Sequence, residues 1–509
     1  MKTRLLAFCL LGIASSATAL VCSANTRADG EAQPAPSGKV LSQERLAELE
    51  QIDIPILKFT LKDGAFPDFD CVLPPEGAIG ATITNAAYVE GSLVITRKGE
   101  ELYNSGEYVA KESGMRIKVR GNGSANKGGS KHPKPGYKIK LSKKANLLIG
   151  DEEANKSKEW ALVRCGLNEL KALPTYELAK YLGLGWQPRC YIVTVMINGN
   201  YFGNYWLTET VAADKNRVNI EDSGFIVEDD AYWWKPGELY SKSKYLAHYM
   251  GWTIKEPDTD DVDQTRIDSI WNSVADLEDC IFSGNEVSDK IDYNSFAAWF
   301  LTHDIVNNLD GAGSNIFLIK DAVDPANPYS PKFRMGPVWD MDSGFGSEAE
   351  AFSPVHTTNI YFGSALFQLP EFQKVYKDLF NKVKDSVVSD VMKAAEKRLA
   401  LMPALYESRQ FETVTGSTDP KDDMSRMNKF LTARIPILDK MINDPYNGVD
   451  NIEFTPDNVP STIPADGGKE WLRENNASVY SLDGVRQDSF TKGLNIIRMA
   501  NGRSIKKMF

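Results

Sequence analysis

The first half of the chain alternates apolar and polar positions in short runs that break at Gly and Asp. The runs ILKFTLKDG, ATITNAAYV and GSLVITRKG, between about Ile52 and Val109, have the period of two that is typical of β-strands. Two later runs, RCYIVTVMING and YFGNYWLTETV, meet at Asn198-Gly199, a dipeptide typical of tight hairpin turns. The pattern predicts a β-rich first half with one helix, over ELKALPTYELAKYLG, that has Pro174 in its first turn.

The second half changes to the spacing of three and four residues that is typical of helices. After GFIVEDD, this spacing predicts helices in IDSIWNSVADLEDCIF, YNSFAAWFLTHDIVNNL, PEFQKVYKDLFNKVKDSVVSDVMKAAEKRLALM and MSRMNKFLTARIPILDKMI. Beyond about Asp450, three short strand-like pieces follow, separated by Asp-Gly, Lys-Gly and Asn-Gly turns. We therefore predict a two-lobed α+β protein with a β-rich N-terminal lobe, a helical C-terminal lobe and a small β appendage. A β-sandwich adhesin followed by a helical spacer would give the same order of elements.

The N-terminus has the features of an export signal. Lys2 and Arg4 precede an apolar run over residues 5–14, and small residues follow. Cleavage near residue 24 is expected to leave a mature protein that is secreted or held at the cell surface. Val21 stands where a lipoprotein signal needs a small residue, so anchoring at Cys22 is the less favoured alternative. No later stretch reaches the roughly 18 apolar residues of a membrane span, so none is expected in the mature chain.

Cysteine and histidine usage limits the chemistry that the chain can perform. Its 509 residues include only four histidines, none of them paired at metal-ligand spacing, and the cysteines form no Cys-x-x-Cys motif. One or two disulfides are permitted in an exported protein but are not required. Any metal must therefore be held by carboxylates and amides, which are the ligands of hard cations.

Positive charge is concentrated in one segment of an acidic protein. Residues 111–144 hold eleven Lys or Arg against Glu112 alone, whereas the whole chain has a net charge of −11. Such a segment is typical of phosphate binding, and a solvated lysine-rich hairpin is an equally good interpretation. The segment lacks the interleaved aromatic residues of a base-stacking surface, so no nucleic-acid partner is expected.

Two motifs supply candidate site residues. Asp310 and Asn315 stand five apart with two glycines between them, the spacing at which protein kinases place a catalytic carboxylate and a metal-binding amide. In VWDMD, a predicted strand end would put Asp340 and Asp342 on one side, as ligands for a hard cation. Both motifs also occur in ordinary turns. The Gly-rich turn over residues 120–124 and a lysine of the following YKIKL strand are candidate phosphate contacts.

These motifs occur in the order found in the CotH kinase family, which the chain resembles over roughly residues 115–445. The resemblance rests on RGNGS, PKPGYKIKLSKKANLL, KEWALV, VMINGNYFGNYWLTETV, NNLDGAGSNIFL and GPVWDMDSGFG. It implies an atypical protein-kinase fold and ATP-dependent phosphorylation of protein Ser or Thr hydroxyls with Mg²⁺ or Mn²⁺. The implied order starts with a signal peptide (residues 1–24), a linker (25–44) and a β-rich region (45–114). The kinase-like domain (115–445) follows, and then a linker with a sorting-like β segment (446–509).

The resemblance also implies a role for each candidate residue. Asp310 is similar to the catalytic carboxylate, Asn315 and Asp340 to metal ligands, and Asp342 to an auxiliary metal ligand. Glu209 is expected either to face the nucleotide or to form a structural ion pair. The remaining implied nucleotide contacts are Arg120, Asn122, Ser124 and Lys138.

The sequence departs from the family pattern at two places. The family commonly has an aromatic residue soon after its RGN-[ST]-[ST] turn, whereas Gly123, Ser124 and ANKGGS follow RGN here. At the entry of the helix the family commonly has Asp and then Arg-Asn, and this chain has Asn168 and, roughly in place of Arg-Asn, Lys171-Ala172. These departures leave a second class open, a non-catalytic surface adhesin or assembly protein on the same scaffold. The tail from Val479 resembles the C-terminal segments of exported bacterial proteins, including type IX sorting segments. The protein substrate and the oligomeric state are left open.

Overall fold

The computed structural model describes most of the chain in two units, Met1–Phe454 and Thr455–Phe509. The signal peptide, Cys165, Asn168 and Asp310 lie outside the described residues. The described residues are 34–72, 83–122, 124–127, 130–151, 155–164, 169–221, 223–235, 238–243, 245, 251–258, 262–308, 315–322, 326, 330–353, 355, 357, 361–402, 420–444, 478–480, 486–489, 494–498 and 504–508.

The first unit contains a closed, barrel-like sheet of seven described strands. The strands of this half are β1 (Ile56–Leu61), β2 (Asp70–Val72), β3 (Ile83–Asn85), β4 (Val89–Arg97), β5 (Glu100–Asn104), β6 (Met115–Arg120), β7 (Asn126–Lys127), β8 (Ser130–Lys131), β9 (Gly136–Ala145), β10 (Ser157–Arg164), β11 (Cys190–Ile197) and β12 (Asn200–Glu209). The order around the barrel is β1-β11-β12-β10-β9-β6-β4, and β5 pairs with β4. The sheet closes because β1 pairs in parallel with β11 and antiparallel with β4.

Period-two alternation determines which residues of the barrel strands form its core. In β6, Met115, Ile117 and Val119 are at most 2% exposed, and the residues between them are half-buried on the other face. The closure depends on Gly91 in β4, because a Cβ there would lie 2.3 Å from the carbonyl oxygen of Thr60 in β1. Only glycine lets these two strands approach so closely.

A second sheet and a helical layer complete the first unit. The sheet has the order β14-β15-β13-β16-β17, with strands β13 (Phe225–Asp230), β14 (Tyr240–Ser241), β15 (Gly251–Glu256), β16 (Phe317–Lys320) and β17 (Arg334–Met335). The described helices are α1 (Gln43–Gln51), α2 (Ala172–Tyr181), α3 (Gln264–Phe282), α4 (Tyr293–Val306), α5 (Tyr361–Leu366), α6 (Pro370–Val383), α7 (Val387–Leu399) and α8 (Pro420–Asn443).

Helix α4 is the centre of the helical layer. Every residue from Ser295 to Val306 is buried, and α2, α6 and α8 pack around the helix. A helix that is buried on all sides has no polar stripe, which agrees with the long apolar run AAWFL in its sequence. Within the described residues, none of the helices combines the length and the apolar character needed to cross a bilayer.

The second unit contains a small antiparallel sheet. Its strands are β18 (Ser478–Tyr480), β19 (Arg486–Gln487), β20 (Leu494–Arg498) and β21 (Ser504–Met508), in the order β19-β18-β20-β21. The sequence predicts three strand-like pieces here, and four strands lie among the described residues of this unit. The short β19 was missed because two residues are too few to show an alternating pattern.

The predicted α+β class is confirmed, and so are most elements. The hairpin of β11 and β12 turns at Asn198 and Gly199, whose φ angles are 51° and 79°. Pro174 lies in the first turn of α2. The long helical pattern that begins at Pro370 forms two helices, because residues 384–386 separate α6 from α7. Part of the predicted linker pairs with the barrel, since Lys39 and Tyr201 exchange two backbone hydrogen bonds of 2.8 Å.

The region 45–114 was predicted to be separate from the domain that follows it. The structure places β1 and β4 of this region in the same barrel as β6 and β9–β12, so the boundary at residue 114 falls within one sheet. The sequence pattern identified the strands but not their partners. Pairing of β1 with β11 joins residues far apart in the chain, and such long-range pairing leaves no local signal.

Arg434 of α8 is a strong test of the helical packing. It is fully buried and donates hydrogen bonds to the carbonyl oxygens of Asp304 (3.0 Å), Ala351 (3.0 Å) and Ser353. Arg434→Met should lower the free energy of unfolding by about 3 kcal/mol, because these buried acceptors lose their donor. Urea denaturation measures the change. The exposed Lys429→Met on the same helix is the control and should change it by less than about 0.5 kcal/mol. Equal values for the two variants would contradict this account.

Candidate active site

The basic segment of the sequence forms the outer face of the barrel. Arg116, Lys118 and Arg120 alternate with core residues along β6, so all three side chains lie on the side away from the core. The register of β6 and β9 places Lys118 opposite Lys138 and Arg116 opposite Lys140. The sheet therefore brings five cations together on one surface.

Lys138 and Lys140 share one carboxylate on the neighbouring strand β10. The Nζ atom of Lys138 lies 2.8 Å from Glu159 Oε2, and that of Lys140 lies 3.5 Å from Oε1. Burial raises the pKa of Glu159, but the two lysines outweigh burial and leave the pKa below its ordinary value. Lys138 is thus held by a carboxylate in this structure, and its contact with a nucleotide phosphate stays a prediction.

Arg120 ends β6 and lies beside the acidic loop. Its guanidinium carbon is 5.8 Å from the centre of the Trp339 ring. Burial lowers the pKa of Arg120, and the charges of Asp340 and Glu228 oppose this effect. Among the described residues, the guanidinium has no hydrogen-bond or ion-pair partner. A half-buried cation without a partner is costly, and a bound anion would remove that cost.

In the turn after Arg120, Gly121 and Asn122 have structural roles. Gly121 has a φ of 90°, and a Cβ there would lie 2.1 Å from Ser124 Oγ. Asn122 Oδ1 accepts a hydrogen bond of 3.2 Å from the backbone N–H of Thr84. Ser124 is exposed, and Gly123 lies outside the described residues. Asn122 and Ser124 thus lie in the turn that follows Arg120, and their nucleotide contacts stay predictions.

Asn315 is positioned by a buried carboxylate of the second sheet. The backbone N–H groups of Asn315 and Ile316 donate to Asp229 Oδ1 at 3.2 and 2.8 Å. Asp229 is 1% exposed, and its own N–H donates to Ile316 O at 3.0 Å. Strand β13 therefore fixes the residue at the end of the Asp310–Asn315 motif. Asp310 itself lies outside the described residues.

The VWDMD segment is not a strand end, and that prediction is wrong. Strand β17 stops at Met335, and Asp340 has a φ of 53°, in the left-handed region. Alternation between strand faces does not apply to such a backbone. Met341 is nevertheless buried, and Asp340 and Asp342 are both exposed. Asp is one of the few residues other than glycine that adopt a positive φ, so this backbone conformation is compatible with the sequence.

Hydrogen bonds hold this loop against the end of α4. The N–H of Val338 donates to Gln187 Oε1 at 3.0 Å, and the N–H of Phe345 donates to Val306 O at 2.7 Å. The side chain of Asn308 donates to Met341 Sδ at 3.4 Å. The two aspartates are thus carried by a loop that is anchored on both sides.

Lys171 reaches the same loop from the start of α2. Its Nζ donates to the backbone carbonyl oxygen of Asp342 at 2.9 Å. Burial lowers the pKa of Lys171, and Asp342 has the opposite effect. The lysine that replaces the arginine of the family pattern is therefore in contact with the acidic loop.

Glu209 is fully buried at the end of β12. Its Oε2 accepts a hydrogen bond of 3.0 Å from the N–H of Arg189, and Arg217 Nε lies 3.8 Å from Oε1. Burial raises the pKa of Glu209, and Arg217 lowers it. Of the two roles predicted for Glu209, this geometry favours the structural ion pair.

Glu228 and Lys255 were not among the predicted site residues. Lys255 Nζ lies 2.7 Å from Glu228 Oε2 and 3.5 Å from Asp230 Oδ2. Burial raises the pKa of Glu228 to about 7, although Lys255 opposes the shift. The signal in the sequence was the run of three acids that ends GFIVEDD, because carboxylates that continue an apolar strand need partners when they are buried.

The structure thus brings Arg120 near Asp340 and Glu228, and Asp342 near Lys171. It places Lys138 with Glu159 on the barrel face, and Glu209 with Arg217 in the interior. In the part of the chain that is described, no group of three or more His, Cys, Asp or Glu side chains is arranged to hold a metal ion.

The family of the chain follows from comparison with family models. The model of the CotH kinase protein matches residues 117–436, so the chain belongs to the CotH kinase family. No curated protein matches the sequence. The match begins in β6 and ends in α8, and it includes the whole arrangement around Arg120 and the acidic loop.

Glu228 should make the stability of the protein depend on pH. A carboxyl whose pKa is raised by folding keeps its proton in the folded state after the unfolded chain has lost it, so stability falls as the pH rises from about 4.5 to about 7. Glu228→Gln should remove this part of the decline, as measured by urea unfolding across that range. The exposed Glu371→Gln serves as the control and should leave the decline unchanged. A decline of the same size in the Glu228 variant would show that another group titrates.

Proposed function

We propose that this chain is a protein kinase of the CotH family that transfers the γ-phosphoryl group of ATP to Ser or Thr hydroxyls of a protein. The proposal includes the two-lobed arrangement of that class, with the barrel and the helical layer as the lobes. Membership of the family supports kinase-like chemistry. The observation that carries the proposal is the half-buried guanidinium of Arg120, which has no hydrogen-bond or ion-pair partner in the described part of the chain and lies near Asp340.

The candidate site residues carry donor atoms of the types that a nucleotide and a divalent cation need. An unpartnered guanidinium suits phosphate oxygens, since it presents several N–H donors and a fixed charge. Asn315, Asp340 and Asp342 offer amide and carboxylate oxygens, and they would hold Mg²⁺ or Mn²⁺. When bound, ATP supplies the phosphoryl group and the cation neutralises charge on the phosphate oxygens.

Each residue of the candidate site has a distinct role in the proposed reaction. Arg120 binds and neutralises phosphate oxygens. Asp310 orients the attacking hydroxyl, and its carboxylate oxygen accepts the hydroxyl proton. Asp229 keeps Asn315 in place through two backbone N–H groups. Lys171 holds the loop of Asp340 and Asp342 at the carbonyl oxygen of Asp342.

The compartment and the partners are part of the same proposal. The basic and apolar start of the chain supports export to the cell surface or the medium. We expect a protein substrate with Ser or Thr hydroxyls and no nucleic-acid partner. ATP must then reach the protein either before export or outside the cell.

A second candidate is a non-catalytic adhesin or assembly protein on the same scaffold. The observation that favours it is Lys171, which stands in place of the arginine of the family pattern and is engaged with a backbone carbonyl. A lysine lacks the planar, bidentate geometry of arginine, so the replacement changes what this position can bind.

Phosphoryl transfer separates the two candidates. Asp310→Asn should bind ATP with Mg²⁺ about as well as the wild type but lose transfer by at least about 100-fold, because the proton acceptor is gone while positioning remains. Asp340→Ala should lose metal-dependent nucleotide binding, because one oxygen ligand is removed. The measurement is radiolabel transfer from ATP to the protein itself and to Ser-rich peptides, beside a nucleotide titration.

Asp378→Asn, an exposed carboxylate on α6, is the matched control and should transfer at the wild-type rate. Equal transfer by the wild type and Asp310→Asn would remove Asp310 from the mechanism. A wild type that binds no ATP with either metal would favour the adhesin.

A further inference from the structure

Lys118 is a half-buried lysine whose surroundings disfavour its charged form. Its ammonium lies 4.8 Å from the centre of the Tyr88 ring, and within the described residues it forms no hydrogen bond or ion pair. Burial lowers the pKa of Lys118, and the positive charges of Lys235 and Lys138 lower it further. The carboxylates of Glu238 and Glu159 act in the opposite direction but do not reverse the shift.

The strand register adds to this excess of positive charge. Lys118 lies directly opposite Lys138, and side chains in such a cross-strand pair stand about 5 Å apart at Cβ. Like charges in this position destabilise a sheet. The nearby carboxylate of Glu159 is already shared by Lys138 and Lys140, at 2.8 and 3.5 Å. Among the described residues, Lys118 therefore has no carboxylate of its own on the barrel face.

Lys118 and Arg120 share a feature that Lys138 lacks, because neither has an ion-pair partner among the described residues. Both are half-buried on the same face of β6, and their Cα atoms are about 7 Å apart because they alternate along one strand. Arg116 on this face also has no ion-pair partner among the described residues, but it lies four residues from Arg120, about 14 Å between Cα atoms, so Lys118 is the cation next to Arg120. Two unpartnered cations at this spacing match an extended anion with more than one charged centre better than a single phosphate.

We propose that Lys118 and Arg120 together bind the polyphosphate chain of the nucleotide, with Lys118 as a phosphate contact and Lys138 as a supporting charge held by Glu159. This inference rests on the proposed function, since it concerns the same nucleotide. According to this inference, the affinity of the site for a ligand depends on the number of its phosphates. ATP should bind more tightly than ADP, and AMP should gain little from Lys118.

The test compares ligands that differ only in their phosphates. Calorimetric titrations of the full chain with ATP, ADP, AMP and inorganic tripolyphosphate are made for the wild type, Lys118→Met and Arg116→Met. Lys118→Met should weaken ATP and tripolyphosphate at least about tenfold and AMP less than about threefold. Arg116→Met removes the same charge from the same strand face and should weaken all four ligands by less than about threefold.

Two further readouts exclude a merely structural effect. Lys118→Met should raise the melting temperature of the ligand-free protein, because the repulsion from Lys138 and Lys235 is gone, while it weakens binding. Lys118→Arg keeps the charge and should bind ATP within about threefold of the wild type. An unchanged ATP affinity of Lys118→Met, or an equal loss for AMP and ATP, would overturn the inference.

The outcomes also separate this inference from the proposed function. Binding of tripolyphosphate that depends on Lys118, in a chain that transfers no phosphate, would keep the Lys118 contact and refute the kinase. If instead the wild type transfers phosphate and Lys118→Met binds ATP with unchanged affinity, the kinase proposal stands and the Lys118 contact is refuted. A wild type that binds neither ATP nor tripolyphosphate would refute both.

Discussion

Closure of the barrel by β1 is the constraint on which the candidate site depends. Because β1 pairs with both β4 and β11, the seven strands have one interior, and each strand must direct alternate residues into it. In β6 this requirement places Ile117 and Val119 inside and leaves Lys118 and Arg120 on the outer face. The cations are thus positioned by the packing of the apolar residues with which they alternate along the strand.

The acidic half of the site is held by a different set of contacts. Asp229 binds the backbone at Asn315, and Gln187, Val306 and Lys171 hold the loop that carries Asp340 and Asp342. These contacts come from β13, from the segment before β11 and from helices α2 and α4. The site is thus assembled from many parts of the first unit, and the parts that hold its acidic half all lie within the family match, which extends from β6 to α8.

Much of this arrangement could be predicted from the sequence, and the failures have physical causes. Alternation and turn chemistry identified the strands of the barrel and the hairpin at Asn198, because these signals are local. The closure through β1 was missed because its pairing is long-range. The left-handed backbone of Asp340 was missed because an isolated Asp in a loop gives no periodic signal. The acids of GFIVEDD were not among the predicted site residues, since the burial of Glu228 and its pairing with Lys255 appear only in three dimensions.

The central claim is that Arg120, which has no hydrogen-bond or ion-pair partner among the described residues, binds a phosphate of ATP. A calorimetric titration of ATP with Mg²⁺ into the wild type and into Arg120→Met tests this directly. The account predicts binding by the wild type and a loss of affinity of at least about tenfold in the variant, because a desolvated, charge-assisted contact is removed. Equal affinities of the two proteins would contradict it.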